Sequence, residues 1–215
     1  MANYGLSLSY DIETKVTKAF LYGRHVLKKC IPFPAPKLRP QFAQLCFQLE
    51  KMHYLQQHPL KLPLALLVNH FERLTYRAAV MLDDEILNIE RALGLNEAGR
   101  LPLDMCQAFQ KDRPSDADEM KHITTFSDVT VRVNTALTEL ICMERCAKWE
   151  DEMVAYLSHV QDDARTAAIF RTHPARHEFD ETLLYLTYGI KGITQRIAEL
   201  KARSETQLSI VRLHS

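Results

Sequence analysis

Four groups of side chains carry chemistry by their type and spacing. Asp83, Asp84 and Glu85 form a run of three carboxylates on a segment with helical periodicity. Hard cations such as Mg²⁺ bind carboxylate oxygens and keep several of their waters, so this run is a candidate cation cluster. A solvated polar helix face is the plainer reading of the same residues. Cys142 and Cys146 stand one helical turn apart and face the same way, a spacing that suits a soft metal. Two further ligands are needed, and none lies nearby in sequence, so buried apolar cysteine is the plainer reading. His173 and His177 lie four apart around a helix start after Pro174. They are either a ligand pair or part of an ordinary surface helix start. Glu144, Glu150, Asp151 and Glu152 place carboxylates at helical spacing. A di-metal bundle site needs a second carboxylate helix or a Glu-x-x-His motif, and the sequence supplies neither. No residue is assigned a catalytic or cofactor-binding role, and metal ligation is left unassigned.

The common catalytic signatures are absent. There is no GxGxxG, GxxxxGK[ST], GxSxG or HExxH, and no CxxC pair for zinc. The acidic stretch from Asp112 to Glu119 lacks the glycine and the later glutamate of a calcium loop. The prediction is therefore that the chain is not an enzyme, although scattered catalytic residues would escape such a scan. Lysine plus arginine is 27 and aspartate plus glutamate is 27, a formal net charge of zero, which argues against a nucleic-acid partner. The longest apolar run, Leu62 to Val68, contains Pro63 and falls far short of the ~18–20 residues that span a bilayer as a helix. The first ten residues lack the basic start and apolar core of a secretory signal. Five cysteines at irregular spacing fit reduced thiols and a cytoplasmic location.

The elements that would position these groups are helices. The chain is 47% apolar and 25% charged, as in ordinary globular proteins, and holds only six glycines. Few glycines mean few tight turns. A first helix is expected from about Asp11 to Lys29, with Val16, Phe20, Val26 and Leu27 on one face and Asp11 near its cap. Prolines 32, 34, 36 and 40 then make a stiff linker, with a ligand for a proline-recognition module as the alternative, so residues 1–40 are expected to form an N-terminal helix and Pro-rich connector. A second helix spans Gln41 to Gln57, ended by His58-Pro59. The third, Leu64 to Leu93, steps by three and four residues and would be a rod of ~45 Å. Residues 94–118 read as a loop. A long helix is expected from about Ala117 to Gln161, with a strand at Val129 to Val133 as the alternative because of its Thr and Val content. After His173-Pro174 the pattern is clearest. Phe179, Leu183, Leu186, Ile190, Ile193, Ile197 and Leu200 alternate steps of four and three, a 3.5-residue period of coiled-coil type. In register, Ser204, Gln207 and Val211 continue it, so the seam turns polar. This helix reaches Ser215 without a stop signal, as if cut off.

Three stretches resemble the CorA-like magnesium transporter proteins of fungi. The first is His58-Pro59-Leu60-Lys61-Leu62-Pro63-Leu64-Ala65-Leu66-Leu67-Val68, similar to the element that opens a long helix there. The second runs from Asn134 through Leu137, Leu140 and Cys146 to Trp149. The third runs from Leu183-Leu184-Tyr185-Leu186 through Gln195-Arg196-Ile197 to Lys201 and Ser209, and is similar to the segment leading into the stalk helix. Together they cover roughly residues 42–215. The family's two membrane helices and Gly-Met-Asn signature are not in this sequence.

The resemblance implies a cytoplasmic helical domain, residues 41–215, with Mg²⁺ as the cation and a role in assembly or regulation rather than conduction. Residues 191–212 carry Lys191, Arg196, Lys201, Arg203 and Arg212 against Glu199 and Glu205. Such a basic excess suits a segment placed before a membrane helix, or an ordinary charged helix surface. The expected fold is all-α, with long antiparallel helices and a C-terminal heptad helix. A homo-oligomer or a helical partner is the expected assembly. The alternative function is a stand-alone helical protein-interaction module.

Overall fold

The computed structural model describes residues 5–11, 13–22, 41–55, 58–93, 126–163, 169–170 and 172–214. The expected Pro-rich linker and the loop at 94–118 lie outside these residues. The architecture is all-α apart from one small hairpin. Strands β1 (Gly5–Asp11) and β2 (Val16–Tyr22) pair antiparallel, with Leu8 opposite Ala19 and Asp11 opposite Val16. Helix α1 is Gln41–Lys51, α2 is Lys61–Tyr76, α3 is Asp83–Ala92, α4 is Phe126–Asp162 and α5 is Arg176–His214.

Over residues 11–22 the hairpin stands where a helix was expected from Asp11 to Lys29, and residues 23–29 lie outside the described residues. The alternation Leu6-Ser7-Leu8-Ser9-Tyr10 has the period of two that a strand requires, and it continues the chain into a turn. Asp11 does cap, but it caps that turn. Its Oδ1 accepts the backbone N–H groups of Glu13 at 3.0 Å and Thr14 at 3.3 Å. The Thr14 and Glu13 hydrogen bonds stabilise the carboxylate and hold its pKa below the ordinary value. Lys15, at φ 56°, closes the turn in the left-handed region.

The chain divides into two compact units. One comprises Met1–Leu74 with Ala147–Gly192, the other Thr75–Cys146 with Ile193–Ser215. Each long helix buries one stripe. On α5 the buried positions are Phe179, Leu183, Leu186, Ile190, Ile193, Ile197, Leu200, Ser204, Gln207 and Val211. The polar end of the stripe is therefore as buried as the apolar part. On α4 the buried set is Val129, Val133, Ala136, Leu140, Met143, Ala147, Glu150, Val154, Leu157 and Gln161. These too alternate steps of four and three. Residues 129–133 are helical, so the strand alternative fails there: their side chains follow the seam spacing of the rest of α4.

The stripe through α2 and α3 carries one irregularity. Leu60, Leu64, Leu67, Phe71, Leu74 and Ala78 alternate four and three, but Ala78, Leu82 and Ile86 then step by four twice. One extra residue has entered the repeat. The backbone absorbs it in a π-helical turn, Arg77–Leu82, which joins α2 to α3 without leaving helical torsion angles. A π turn takes up one residue more than an α turn, so the buried stripe stays on one side through Ile89.

In the second unit, α3 and α4 run antiparallel: Arg77 meets Glu139, while Glu85 meets Arg132 eight residues on. Helices α3 and α5 run parallel there. The order Asp83, Ile86, Ile89 along α3 matches Arg196 and Arg203, Gln207 and Val211 along α5. Ile89, Val129, Val133 and Val211 form the buried cluster where these three helices meet.

Candidate functional site

The acidic run at the start of α3 is held by arginines. Asp83 bonds Arg196 at 2.8 Å through Oδ2 and Arg203 at 2.7 Å through Oδ1. Glu85 takes a bidentate pair from Arg132, at 2.7 and 2.8 Å. Arg203 also holds Glu90 bidentately, at 2.8 Å through both Nε and Nη2. Planar fork-to-fork pairs of this kind fix helix register as well as charge. Flanked by two carboxylates, the Arg203 guanidinium is held above its ordinary pKa, with the Glu90 bond the largest cause. Asp83 and Glu85 therefore belong to an inter-helix network, each neutralised by arginine. Among the described residues, no group of three or more His, Cys, Asp and Glu side chains converges as a metal site.

The other sequence candidates are dispersed. Cys142 is exposed and Cys146 half-buried, both as free thiols, where packed apolar cysteines were expected. His177 is mostly exposed and lies 3.3 Å from Glu181 on its own helix, whereas His173 turns inward. Structure does not bring these two together. Glu144 takes a bond from Lys201 at 3.1 Å. Asp151 and Glu152 are exposed. Of the basic residues near the end of α5, Lys191 sits over the Tyr188 ring at 5.8 Å, and Arg212 is exposed.

Two arrangements in the first unit were not anticipated from sequence. The first is a buried carboxyl–imidazole pair. Glu150 is fully buried on the α4 stripe, and its Oε1 lies 2.5 Å from Nδ1 of His70 on α2. Burial pushes the Glu150 carboxyl up, and the His70 hydrogen bond pulls it back in part. Among the described residues, Glu150 Oε2 has no hydrogen-bond partner. The Trp149 ring closes over His70 edge to face, 5.2 Å between centroids. The signal was in the sequence: Glu150 falls on the four-three repeat that the apolar residues of α4 mark out.

The second is a histidine pair at two helix starts. His58-Pro59 opens α2 and His173-Pro174 opens α5, with the same local geometry. His58 Nδ1 accepts the N–H of Leu60 at 3.2 Å, and His173 Nδ1 accepts the N–H of Ala175 at 3.2 Å. The carbonyls of His58 and His173 accept the N–H groups of Lys61 and Arg176. Each imidazole thus does what an Asp or Asn side chain does at a helix N-cap. The two rings meet edge to face at 4.8 Å. His58 is further stacked against Phe179 at 4.4 Å and Phe170 at 5.7 Å. Burial, then the nearby His173, lower the His58 pKa to about 4.

A groove of about 500 Å³ opens in the same unit, walled by Met52, Tyr54, Glu72, Glu178, Thr182 and Tyr185. Gln48, almost fully buried, donates its amide to Glu72 and so orients that carboxylate. Chemically, these groups supply hydrogen-bonded ion pairs and caps. No protein-family model, curated protein or solved structure matches the chain.

Proposed function

We propose that the chain works by binding a protein partner, as a non-catalytic helical module. One observation carries this reading. The α5 helix buries its whole repeating stripe inside its own chain, yet leaves Leu184, Tyr185 and Tyr188 exposed at 54%, 61% and 66% on another side. Exposed tyrosine and leucine in one patch are the composition of a binding surface, because they desolvate large area at little entropic cost. Asp83 and Glu85 at the start of α3 support the same reading, since arginines of this chain occupy both carboxylates.

The second reading is a CorA-like cytoplasmic helical domain with an assembly role linked to Mg²⁺. It is favoured by where the three resembling stretches fall: residues 58–68 open α2, 134–149 lie in α4 and 183–209 lie in α5. A Mg²⁺ titration of the thermal unfolding midpoint, at constant ionic strength, separates the two. A bound ion at a hundred times its Kd adds about 2.7 kcal/mol, or roughly 5–10 °C for a chain of this size. The module reading predicts no saturable rise. A saturable rise in the millimolar range would replace it with the CorA-like reading.

A further inference from the structure

We propose that His58 and His173 form an acid-sensitive clamp that holds the starts of α2 and α5 together and releases both when protonated. The inference rests on what each ring is doing. Both Nδ1 atoms accept a backbone N–H from the helix they open. An imidazolium has no lone pair left at Nδ1, so protonation there removes the cap outright. Both rings stand at helix N-termini, where the backbone dipoles already present positive charge, so an added proton is disfavoured on that ground too. The rings touch, and a proton on one raises the cost of a proton on the other.

The surroundings offer no compensation. His58 is sandwiched by Phe179 of α5 and by Phe170, and its Nε2 has no hydrogen-bond partner among the described residues. Among the described residues, no carboxylate is hydrogen-bonded or ion-paired to either ring. The charged groups nearby on α5 are turned elsewhere. Arg176 pairs with Asp162 and Asp180, His177 pairs with Glu181, and Glu178 lines the groove. On α2, the adjacent Lys61 carries the same sign as an imidazolium. Burial and the neighbouring positive ends of the helices therefore push the same way, toward a neutral His58 in the closed state.

The direction with pH follows. His58 is neutral in the closed state down to about pH 4, while an uncapped, solvated histidine takes a proton near 6.5. Between those values the open state binds more protons, so acid favours opening. His58 alone raises the open-to-closed ratio roughly thirtyfold from pH 7.5 to pH 5. Because Glu178 and Tyr185 belong to the same helix, release at the α5 start also loosens one wall of the groove.

The test uses the full chain at constant ionic strength between pH 7.5 and 4.5. Amide hydrogen exchange, corrected for its intrinsic pH dependence, is followed for peptides covering 58–66 and 173–181. The clamp predicts a roughly thirtyfold loss of protection in both peptides together by pH 5, before α4 residues 140–157 lose theirs. Protection that persists to the pH of global unfolding overturns it. The double variant H58N/H173N keeps a side-chain acceptor at each cap but cannot titrate, so it should lose most of this pH dependence. An unchanged dependence overturns the proposal. Proton NMR of the His58 ring in the unmodified chain gives a readout that needs no variant: a midpoint near 4 supports the clamp, and one near 6.5 overturns it.

Discussion

Gly189 and Gly192 lie three residues apart on α5, yet alanine at the two should act in opposite directions. A Cβ placed at Gly189 meets Phe71 Cζ at 2.4 Å and both Cε atoms at 3.1 Å. Carbon atoms in ordinary contact sit 3.5–4.0 Å apart, so the overlap with Cζ exceeds 1 Å. Phe71 is itself buried and in edge contact with Tyr185, so the ring has little room to retreat. Overpacking of this kind costs about 1–3 kcal/mol. Alanine returns about 1 kcal/mol of helix propensity at either position. The net for Gly189→Ala is a loss of about 0–2 kcal/mol. A Cβ at Gly192 meets nothing within 4 Å, and Gly192→Ala should gain about 1 kcal/mol. At roughly 2–4 °C per kcal/mol, the Gly189→Ala midpoint should lie about 2–12 °C below that of Gly192→Ala in a circular-dichroism melt. Adding Phe71→Leu to Gly189→Ala should relieve part of the loss. If Gly189→Ala instead raised the midpoint as Gly192→Ala does, the close approach of α2 and α5 at Phe71 would be wrong.

Other substitutions probe the remaining polar core. His70→Leu strands the buried Glu150 carboxylate and should cost about 3–5 kcal/mol, whereas the double variant H70L/E150L should match or exceed the parent. Equal stability of the single variant and the parent in urea titrations would show that the pair is not buried as described. Deleting Ala79 should convert the π turn to an α turn and remove the extra residue from the repeat, leaving the midpoint within a few degrees. Deleting Thr135 instead shifts every later α4 stripe residue by about 100° and should abolish cooperative unfolding. Leu184→Gln with Tyr188→Gln should leave stability within about 1 kcal/mol, while the fully buried Leu186→Ala should lose about 2–5 kcal/mol.

How much of this was legible in the sequence depends on how local the determining interaction is. The α5 stripe from Phe179 to Leu200 is buried as its four-three spacing predicts, because a repeat of that length has one face to bury. The continuation through Ser204 and Gln207 was readable as position but not as environment. Ser204 bonds Leu200 O within its own helix, and Gln207 donates to Ile86 O across to α3. The N-terminal hairpin was misread because Val16 and Phe20 fit a helical face, while the competing alternation at residues 6–10 is short. The arginine network was invisible: Arg132, Arg196 and Arg203 stand 47 to 120 residues from the carboxylates they hold. His58-Pro59 and His173-Pro174 were legible as helix breaks. That the rings cap those helices and pack on one another is a tertiary fact. The heptad of α5 suggested self-association, but residues of this chain cover its stripe, Val211 against Ile89 and Phe179 against His58.

The repeating stripes are buried within one chain, and we propose on that ground that the buried stripe of α5 does not drive self-association and that Mg²⁺ does not gate it. Light scattering on the purified full chain, over a hundredfold range of concentration and with and without millimolar Mg²⁺, tests it most directly. The account predicts one mass, near 24.8 kDa, throughout. A stable multi-subunit mass that changes with Mg²⁺ would contradict it.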